Sequence, residues 1–356
     1  MSLRALVLLS LLFLPVAAQL PQAPAVAPAA LSDGPYVLWE GKKATVLRVR
    51  EGHLEESRLA PPYRLDLEGL PPLKLSSTPL APVRATFPLP ARIAAVSDIH
   101  GNLASLRTLL QAQKILDGSG RWTFGRGHLV VVGDVYDRGP QVTEILWLLR
   151  SLEVQALAQG GRVHMVLGNH ETMGLRGDVR YLNPKYEALR KGVLPQDFPV
   201  LMGPGSDQGR WLRARPVLLR LGDILFVHGG PSPDLLQKGL DLAKVNAQFR
   251  LDLEDPGKPY LLGTDGPVWY RGLIPGADPK RPDATEAEVE AILRACGARS
   301  VVVGHTTQER ITSFHAGRVI GIDAGLKDGK PGELWIHEGG ASWRGLADGT
   351  RVPLAQ

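Results

Sequence analysis

Cysteine is nearly absent from this sequence, with Cys296 alone among 356 residues. A single thiol cannot form a disulfide within the chain, and it cannot build the thiolate cage of a structural zinc site. Its neighbours at helical spacing, Val289, Ile292 and Leu293, are apolar, which predicts that Cys296 is a core residue of a helix. Disulfide scaffolds and cysteine-based metal sites are therefore excluded.

A membrane-spanning apolar run is also lacking. The amino-terminal stretch from Ala5 to Val16 covers 12 residues, whereas a helix that crosses a bilayer needs about 20. It follows Arg4 and ends in the small residues Val16-Ala17-Ala18, the arrangement of a secretory signal peptide. We therefore predict a signal peptide over residues 1–18, a Pro/Ala-rich tether over 19–34, and export to the periplasm or the medium with no membrane span left after cleavage.

Dense runs of one charge are missing as well. The formal net charge is +5, yet the basic residues are scattered and are not interleaved with aromatic ones. This pattern predicts no dedicated nucleic-acid surface, while a positive excess suits a phosphorylated substrate. The sequence also lacks a nucleotide-binding glycine loop and an internal repeat.

The sequence does contain short apolar runs that each end at glycine and at a side chain able to bind metal. A run of this length is typical of a buried strand, and glycine lets the backbone turn sharply. Loops at one edge of a sheet converge, so we expect these side chains to share one small volume. Carboxylate, imidazole and amide oxygen together suit manganese, iron or zinc. The runs cover 92–97, 129–132, 163–167, 224–227 and 300–303, and they lead to Asp98 and His100, Asp134, Asn169, His228 and His305.

Helical patterns alternate with these runs. Apolar spacing predicts helices over 103–110 and 142–152, and Thr285 with Glu288 forms a capping-box pattern that opens a third helix. Together the elements indicate an α/β fold. Residues 35–90, which alternate short β-prone pieces with turns, are predicted to form a small β appendage before a catalytic domain of residues 91–356.

The motifs DIHG, GDVYDRG, GNHE, HGG and GHT, in this order, resemble those of the calcineurin-like metallophosphoesterases, in particular the phosphoprotein phosphatase branch. GNHETMGLRGDVRYL at 168–182 and DGPYV at 33–37 are similar to the Shewanella-like phosphatase group. The resemblance implies a two-sheet β-sandwich flanked by helices on both faces. It also implies a phosphatase that uses two metal ions.

The resemblance assigns the metal ligands position by position. Asp98, His100 and Asp134 would hold one ion, and Asp134 would bridge to a second ion. Two cations that share a carboxylate can lower the pKa of a water between them, so that hydroxide attacks phosphorus. The second ion would be held by Asp134, Asn169, His228 and His305.

The resemblance also implies roles beside the metals. His170 matches the general acid, Asp137 matches the carboxylate that orients it, and Arg138 and Arg271 match the arginines that hold phosphoryl oxygens. Arg271 could instead stack on an aromatic ring or pair with a carboxylate.

The roles of three residues in or near the GNHE motif stay open. Arg176 and Arg180 could face the substrate or serve as structural cations. Glu171 could support the ligands or could simply be a carboxylate in the first turn of a helix.

The sequence thus predicts an exported phosphomonoesterase that acts on phosphoproteins, at phosphotyrosine or at phosphoserine and phosphothreonine, or on a small phosphomonoester. A dinucleoside-polyphosphate or other phosphoanhydride hydrolase shares the same motifs and is the alternative enzyme. A non-catalytic phosphate-binding protein of the envelope is the alternative from another class. Such binders usually lose a ligand or the acid, and none is missing here.

Overall fold

The computed structural model describes residues 31–355. The predicted signal peptide, residues 1–18, and most of the predicted tether, residues 19–34, lie outside the described residues. Within 31–355, no helix combines the length and the apolar character needed to cross a membrane.

The amino-terminal part forms a small β unit. Its apolar side chains, including Val37, Val46 and Leu65, pack around Trp147 of the body. Its first strand starts at Asp33, and the strand at residues 86–87 pairs with residues 220–221 of the body. The bounds 35–90 of the appendage stay a prediction. The unit contains the antiparallel strands β1 (Asp33–Glu40), β2 (Lys43–Arg50) and β3 (His53–Leu59) and the hairpin of β4 (Arg64–Leu67) and β5 (Leu70–Lys74). The next strand, β6 (Thr86–Phe87), joins the second sheet of the body.

Two six-stranded sheets form the body. Its strands are β7 (Arg92–Val96), β8 (His128–Val132), β9 (Arg162–Val166), β10 (Leu218–Leu221), β11 (Ile224–Val227), β12 (Ser300–Val303), β13 (Thr312–Phe314), β14 (Val319–Gly321), β15 (Leu334–Glu338), β16 (Ala341–Gly345) and β17 (Arg351–Pro353). The first sheet has the order β17-β16-β15-β7-β8-β9, and the second has the order β13-β14-β12-β11-β10-β6. Strands β7, β8 and β9 are parallel, as are β11 and β12. Their carboxyl ends therefore lie at one edge of each sheet.

The strands read as continuous apolar runs because both of their faces are buried. Ile93 and Val130 of the first sheet pack against Phe226 and Val302 of the second. The alternate residues, such as Leu129, point away from this interface into the core that contains the helices. Burying one such side chain contributes about 1.5–3 kcal/mol to stability.

Helices cover the outer faces of the two sheets, with α2 against β9 and α8 against β10. The helices are α1 (Leu103–Ala112), α2 (Val142–Ala158), α3 (Asn169–Leu175), α4 (Pro184–Gly192), α5 (Phe198–Leu201), α6 (Asp207–Arg213), α7 (Pro233–Gln237), α8 (Leu242–Glu254) and α9 (Glu286–Ala295). The predicted capping box of Thr285 and Glu288 opens α9, and Cys296, just past its end, is buried as predicted. The predicted two-sheet α/β sandwich is thus confirmed.

Candidate metal centre and active site

The predicted metal ligands all lie in loops at the carboxyl ends of parallel strands. Asp98 and His100 follow β7, Asp134 follows β8, and Asn169 begins α3 directly after β9. From the second sheet, His228 follows β11 and His305 follows β12. All six side chains are buried, and the two sheet edges bring them together between the sheets.

Asp134 is the centre of this cluster. Its Oδ2 lies 3.1 Å from Nε2 of His228, 3.6 Å from Nε2 of His100 and 3.9 Å from Nε2 of His170. Burial raises the pKa of Asp134, but the charges of these imidazoles outweigh burial and hold it well below its usual range. A single carboxylate oxygen thus faces three ring nitrogens, which is the arrangement expected of a bridging ligand.

The histidine rings are oriented by backbone carbonyl groups. Nδ1 of His100 donates to the carbonyl of Tyr136 at 2.5 Å, and Nδ1 of His228 donates to that of Val132 at 2.7 Å. These bonds fix the tautomer in which Nε2 carries the free lone pair. Metal-binding histidines are commonly held in this way.

His305 has an unsatisfied buried nitrogen. Its Nε2 is buried and finds no hydrogen-bond partner within residues 31–355. A ligand atom of His305 lies within 4.8 Å of ligand atoms of Asp134 and His228. Because an unpaired buried polar atom costs free energy, this nitrogen fits a metal ion.

Asn169 completes this side of the centre, since its Oδ1 lies 3.0 Å from Nε2 of His228. Burial lowers the pKa of His228, but Asp134 outweighs it and raises that pKa to about 9. The site therefore attracts positive charge to this nitrogen, as a proton or as a metal cation. The donor set of Asp134, Asn169, His228 and His305 fits a borderline divalent metal.

Asp98 is held in place on the other side. Its Oδ2 accepts hydrogen bonds from Oγ of Ser97 at 2.7 Å and from the backbone N–H of His305 at 2.9 Å. Its Oδ1 lies 3.6 Å from Nζ of Lys327, which is 2.6 Å from Oδ2 of Asp323. Burial and then repulsion by Asp323 raise the pKa of Asp98 to about 7. A cation beside Oδ1 would favour the ionised carboxylate.

Lys327 and Asp323 are site residues that sequence reasoning missed. They follow the last predicted ligand, in the segment GIDAGLKDG. This segment has no periodic pattern of apolar residues from which a buried lysine could be told from an exposed one. The side chain of Lys327 is only 12% exposed, and that of Asp323 is fully buried. Together they form a buried network of charges next to Asp98.

The general-acid pair of the prediction also forms in the structure. Nδ1 of His170 lies 2.6 Å from Oδ2 of Asp137, and the opposite ring nitrogen of His170 faces Asp134. Burial lowers the pKa of His170, but its hydrogen bond with Asp137 and the charges of Asp134 and Asp137 outweigh burial and raise it. His170 can therefore carry a proton at Nε2. His170 also has a ring nitrogen within 4.8 Å of ligand atoms of His100 and Asp134, as a metal ligand would. Its carboxylate partner, Asp137, favours proton transfer instead.

Glu171, which the sequence left open, organises the loop that carries Asp134. Its Oε2 accepts the backbone N–H of Asp134 at 2.8 Å and that of Gly168 at 2.7 Å. Its Oε1 accepts those of Val135 at 2.7 Å and Tyr136 at 3.0 Å. Burial and repulsion by Asp134 raise the pKa of Glu171, and the backbone donors oppose that rise.

The ligand loops have an unusual backbone. Left-handed conformations are rare for residues other than glycine and cluster at functional sites. They occur here, with φ between 45° and 68°, at Asp98, His100, Asp134, Asp137, Arg138 and His305.

Motif glycines allow the loops to approach one another. A Cβ atom on Gly133 would lie 2.7 Å from the backbone of Gly168 and 2.8 Å from Nδ1 of His228. A Cβ atom on Gly304 would lie 2.6 Å from Oδ2 of Asp98. The glycines thus let ligands from different strands pack within one centre.

The two predicted phosphate-binding arginines lie at this centre. Nη1 of Arg271 donates to the carbonyl of His305 at 2.7 Å and to Oγ1 of Thr306 at 3.3 Å. Arg138 is exposed at the rim, and its guanidinium lies over the ring of Tyr181 at 5.8 Å. A guanidinium fork can hold two phosphoryl oxygens at once.

The open question over Arg176 and Arg180 has a structural answer. Arg176 donates to the carbonyl groups of Asp252 and Gly257, both at 2.9 Å, so it fastens the end of α8. Arg180 forms a two-pronged ion pair with Asp178. Arg176 therefore has a structural role, whereas Arg180 lies at the rim beside Tyr181.

Known proteins are similar to this chain in sequence and in fold. The sequence pattern of the calcineurin-like phosphoesterases matches residues 91–309. Shewanella-like protein phosphatase 1 of Plasmodium berghei is 30% identical over 245 residues, which cover 66% of this chain and 67% of that protein. Shewanella-like protein phosphatase 2 of Arabidopsis thaliana is 28% identical over 306 residues, or 72% and 77% of the two chains.

A solved structure is similar over nearly the whole described chain. It is a cold-active protein tyrosine phosphatase of a psychrophilic Shewanella species, with a TM-score of 0.83 and 36% sequence identity. The match covers 91% of this chain and 99% of that one.

Proposed function

This chain belongs to the calcineurin-like phosphoesterase family, in its Shewanella-like phosphatase group, and from that premise we propose that it hydrolyses phosphate monoesters of protein side chains. One observation supports this proposal above the others. The Asp134 carboxylate lies between two groups of ligands, and the acid pair of His170 and Asp137 lies beside the same oxygen. A metal centre can activate water for attack on phosphorus, and an adjacent proton donor can protonate the leaving oxygen, so together they can cleave an ester bond.

The residues divide the chemistry among them. Asp98, His100 and Asp134 would hold one metal ion, and Asp134 with Asn169, His228 and His305 would hold the other. Bound metal ions supply Lewis acidity to the phosphoryl oxygens and lower the pKa of the attacking water. The cofactor is proposed to be manganese, iron or zinc, because imidazole and carboxylate ligands suit these metals.

The remaining groups act on the substrate itself. Arg138 and Arg271 bind phosphoryl oxygens and orient phosphorus. His170 donates the proton at Nε2 to the departing oxygen, and Asp137 keeps the ring in the tautomer and the orientation for that transfer.

The substrate class is proposed from the relatives. Two are called protein phosphatases, and the similar solved structure is called a protein tyrosine phosphatase. These names support phosphoproteins as substrates, with phosphotyrosine at least as well accepted as phosphoserine or phosphothreonine.

Export is a separate proposal that rests on the sequence of residues 1–18. The basic residue Arg4, the apolar stretch and the small residues at 16–18 have the order of a cleavable signal. Sequencing of the amino terminus of the protein from an envelope fraction should find Gln19 first. An intact terminus in the cytoplasmic fraction would contradict export.

Steady-state hydrolysis by the chain that starts at Gln19, loaded with Mn²⁺, tests the catalytic proposal. The substrates are p-nitrophenyl phosphate, a phosphotyrosine peptide, a phosphoserine peptide of the same sequence, and a dinucleoside polyphosphate. We expect turnover of the monoesters that disappears with chelator and with Asp134→Asn. Turnover of the dinucleoside polyphosphate alone would indicate an anhydride hydrolase, and bound metal without turnover of any substrate would indicate a phosphate-binding protein.

A further inference from the structure

Tyr181 is an exposed aromatic residue at the rim of the active site. The residue is 46% exposed, although it lies beside a buried centre. The centroid of its ring lies 5.3 Å from that of the His170 imidazole, and the two planes are tilted by 56°. Tyr181 therefore borders the proton donor directly and is partly exposed to solvent.

The guanidinium groups of two arginines lie over the ring. The guanidinium of Arg138 lies 5.8 Å from the ring centroid and that of Arg180 lies 5.7 Å from it. Arg180 is also paired with Asp178, since its Nε lies 2.9 Å from both carboxylate oxygens of that residue. The backbone N–H of Arg138 also donates to the carbonyl of Tyr181 at 2.9 Å. The ring is thus linked to a phosphate-binding arginine and to the acid.

The position of the acid shows where the leaving group must be. A general acid has to lie within hydrogen-bond reach of the oxygen that it protonates. If His170 protonates the leaving oxygen, as the proposed function states, the organic part of the substrate leaves beside His170. Tyr181 is the exposed aromatic ring at that point.

We infer that Tyr181 is a specificity-determining residue whose ring packs against the aromatic part of an aryl phosphate, such as a phosphotyrosine side chain. This inference rests on the proposed function and adds to it the residue that favours aromatic leaving groups. A phosphoserine side chain has no ring to place on Tyr181. The residue therefore discriminates between the two ester classes while the metal centre treats their phosphoryl groups alike.

The size of the effect follows from ordinary aromatic packing. Such pairs contribute enough to change an equilibrium or a rate about two- to tenfold beyond simple burial. Loss of the ring should therefore lower kcat/KM for an aryl phosphate about fivefold. It should change kcat/KM for an alkyl phosphate less than about twofold, and most of the difference should be in KM.

The test compares Tyr181→Ala, Tyr181→Phe and wild type on two peptides of identical sequence, one with phosphotyrosine and one with phosphoserine. The alanine variant should lose its preference for phosphotyrosine, and the phenylalanine variant should retain it, because the ring and not the hydroxyl is required. Leu157→Ala, which removes an exposed apolar side chain on α2, is the control and should match wild type. Equal losses on both peptides in the alanine variant would overturn the inference.

Binding provides a readout that does not depend on turnover. Titration calorimetry of the metal-loaded protein with benzylphosphonate and with propylphosphonate measures the same preference in non-hydrolysable form. Tyr181→Ala should weaken the benzyl compound selectively, and an unchanged affinity ratio would count against the inference. If wild type hydrolyses neither peptide, the proposed function fails, and the phosphonate ratio still decides whether Tyr181 selects aromatic groups.

Discussion

Replacement of Glu171 by glutamine should destabilise the protein far more than the loss of one charge would suggest. Glu171 is fully buried, and its two oxygens accept four backbone N–H groups from the segments 134–136 and 168. Glutamine has nearly the same shape but only one acceptor oxygen. Its amide N–H₂ would face two N–H donors that cannot turn away, because they belong to the loop that carries Asp134.

The magnitude can be worked from these contacts. A hydrogen bond to a charged group contributes about 1.5–3 kcal/mol, and a buried donor left without an acceptor costs a similar amount. Glu171→Gln removes two of the four bonds outright. We therefore expect the free energy of unfolding to fall by at least about 3 kcal/mol, with weaker metal binding because Asp134 is no longer held.

Urea denaturation followed by circular dichroism measures the free energy of unfolding. Inductively coupled plasma mass spectrometry measures the amount of bound metal. Glu187→Gln is the matched control, because Glu187 lies on the surface of α4 in ion pairs with Arg190 and Lys191. Pairs of that kind contribute about 0–1 kcal/mol. A Glu171→Gln protein within about 1 kcal/mol of wild type, with unchanged metal content, would refute the reasoning.

Other residues of the site give further expectations. Lys327→Met should destabilise the metal-free protein by about 3 kcal/mol, because it breaks a buried ion pair, and added Mn²⁺ should recover part of the loss in a thermal melt by replacing the cation beside Asp98. His170→Ala should lower turnover of alkyl phosphates about 100-fold with unchanged metal content, and a series of leaving groups should show a smaller loss for p-nitrophenyl phosphate, which needs little protonation. Arg138→Lys keeps the charge but loses the fork, so kcat/KM should fall at least about tenfold through the loss of one charged hydrogen bond. Gly304→Ala would push a Cβ atom against Oδ2 of Asp98 and should cost one equivalent of bound metal.

The positions of the ligands could be predicted from the sequence because the same physics fixes the strands and the site. Strands buried on both faces leave continuous apolar runs, and the following glycines mark the sharp turns into the loops. Asp98, Asp134 and His228 each follow such a run, so the sequence alone predicts that they converge. The confirmed two-sheet fold required the family resemblance, since the pattern alone indicates only α/β.

The supporting residues could not be predicted in the same way. Three of the four donors to Glu171 lie 35 to 37 residues away in the chain. Lys327, which lies beside Asp98 in space, is much farther from it in the sequence. Tyr181 lies in a segment without regular structure. Neither the helical period nor the strand period therefore predicts where its side chain points. Such roles depend on which loops meet in space, and local sequence does not record that.

The left-handed backbone of the candidate ligand loops is supported by buried hydrogen bonds around them. A non-glycine residue in that conformation costs about 1–3 kcal/mol, so it persists only where neighbouring bonds determine it. Here the loops after β7 and β8 determine one another: the N–H of Asp98 donates to the carbonyl of Gly133, and the N–H of His100 donates to that of Asp134. Glu171 also fixes the loop after β8, because its carboxylate accepts three backbone N–H groups of that loop. The protein thus stabilises the strained geometry with its own hydrogen bonds, so the fold itself holds the candidate ligands in position.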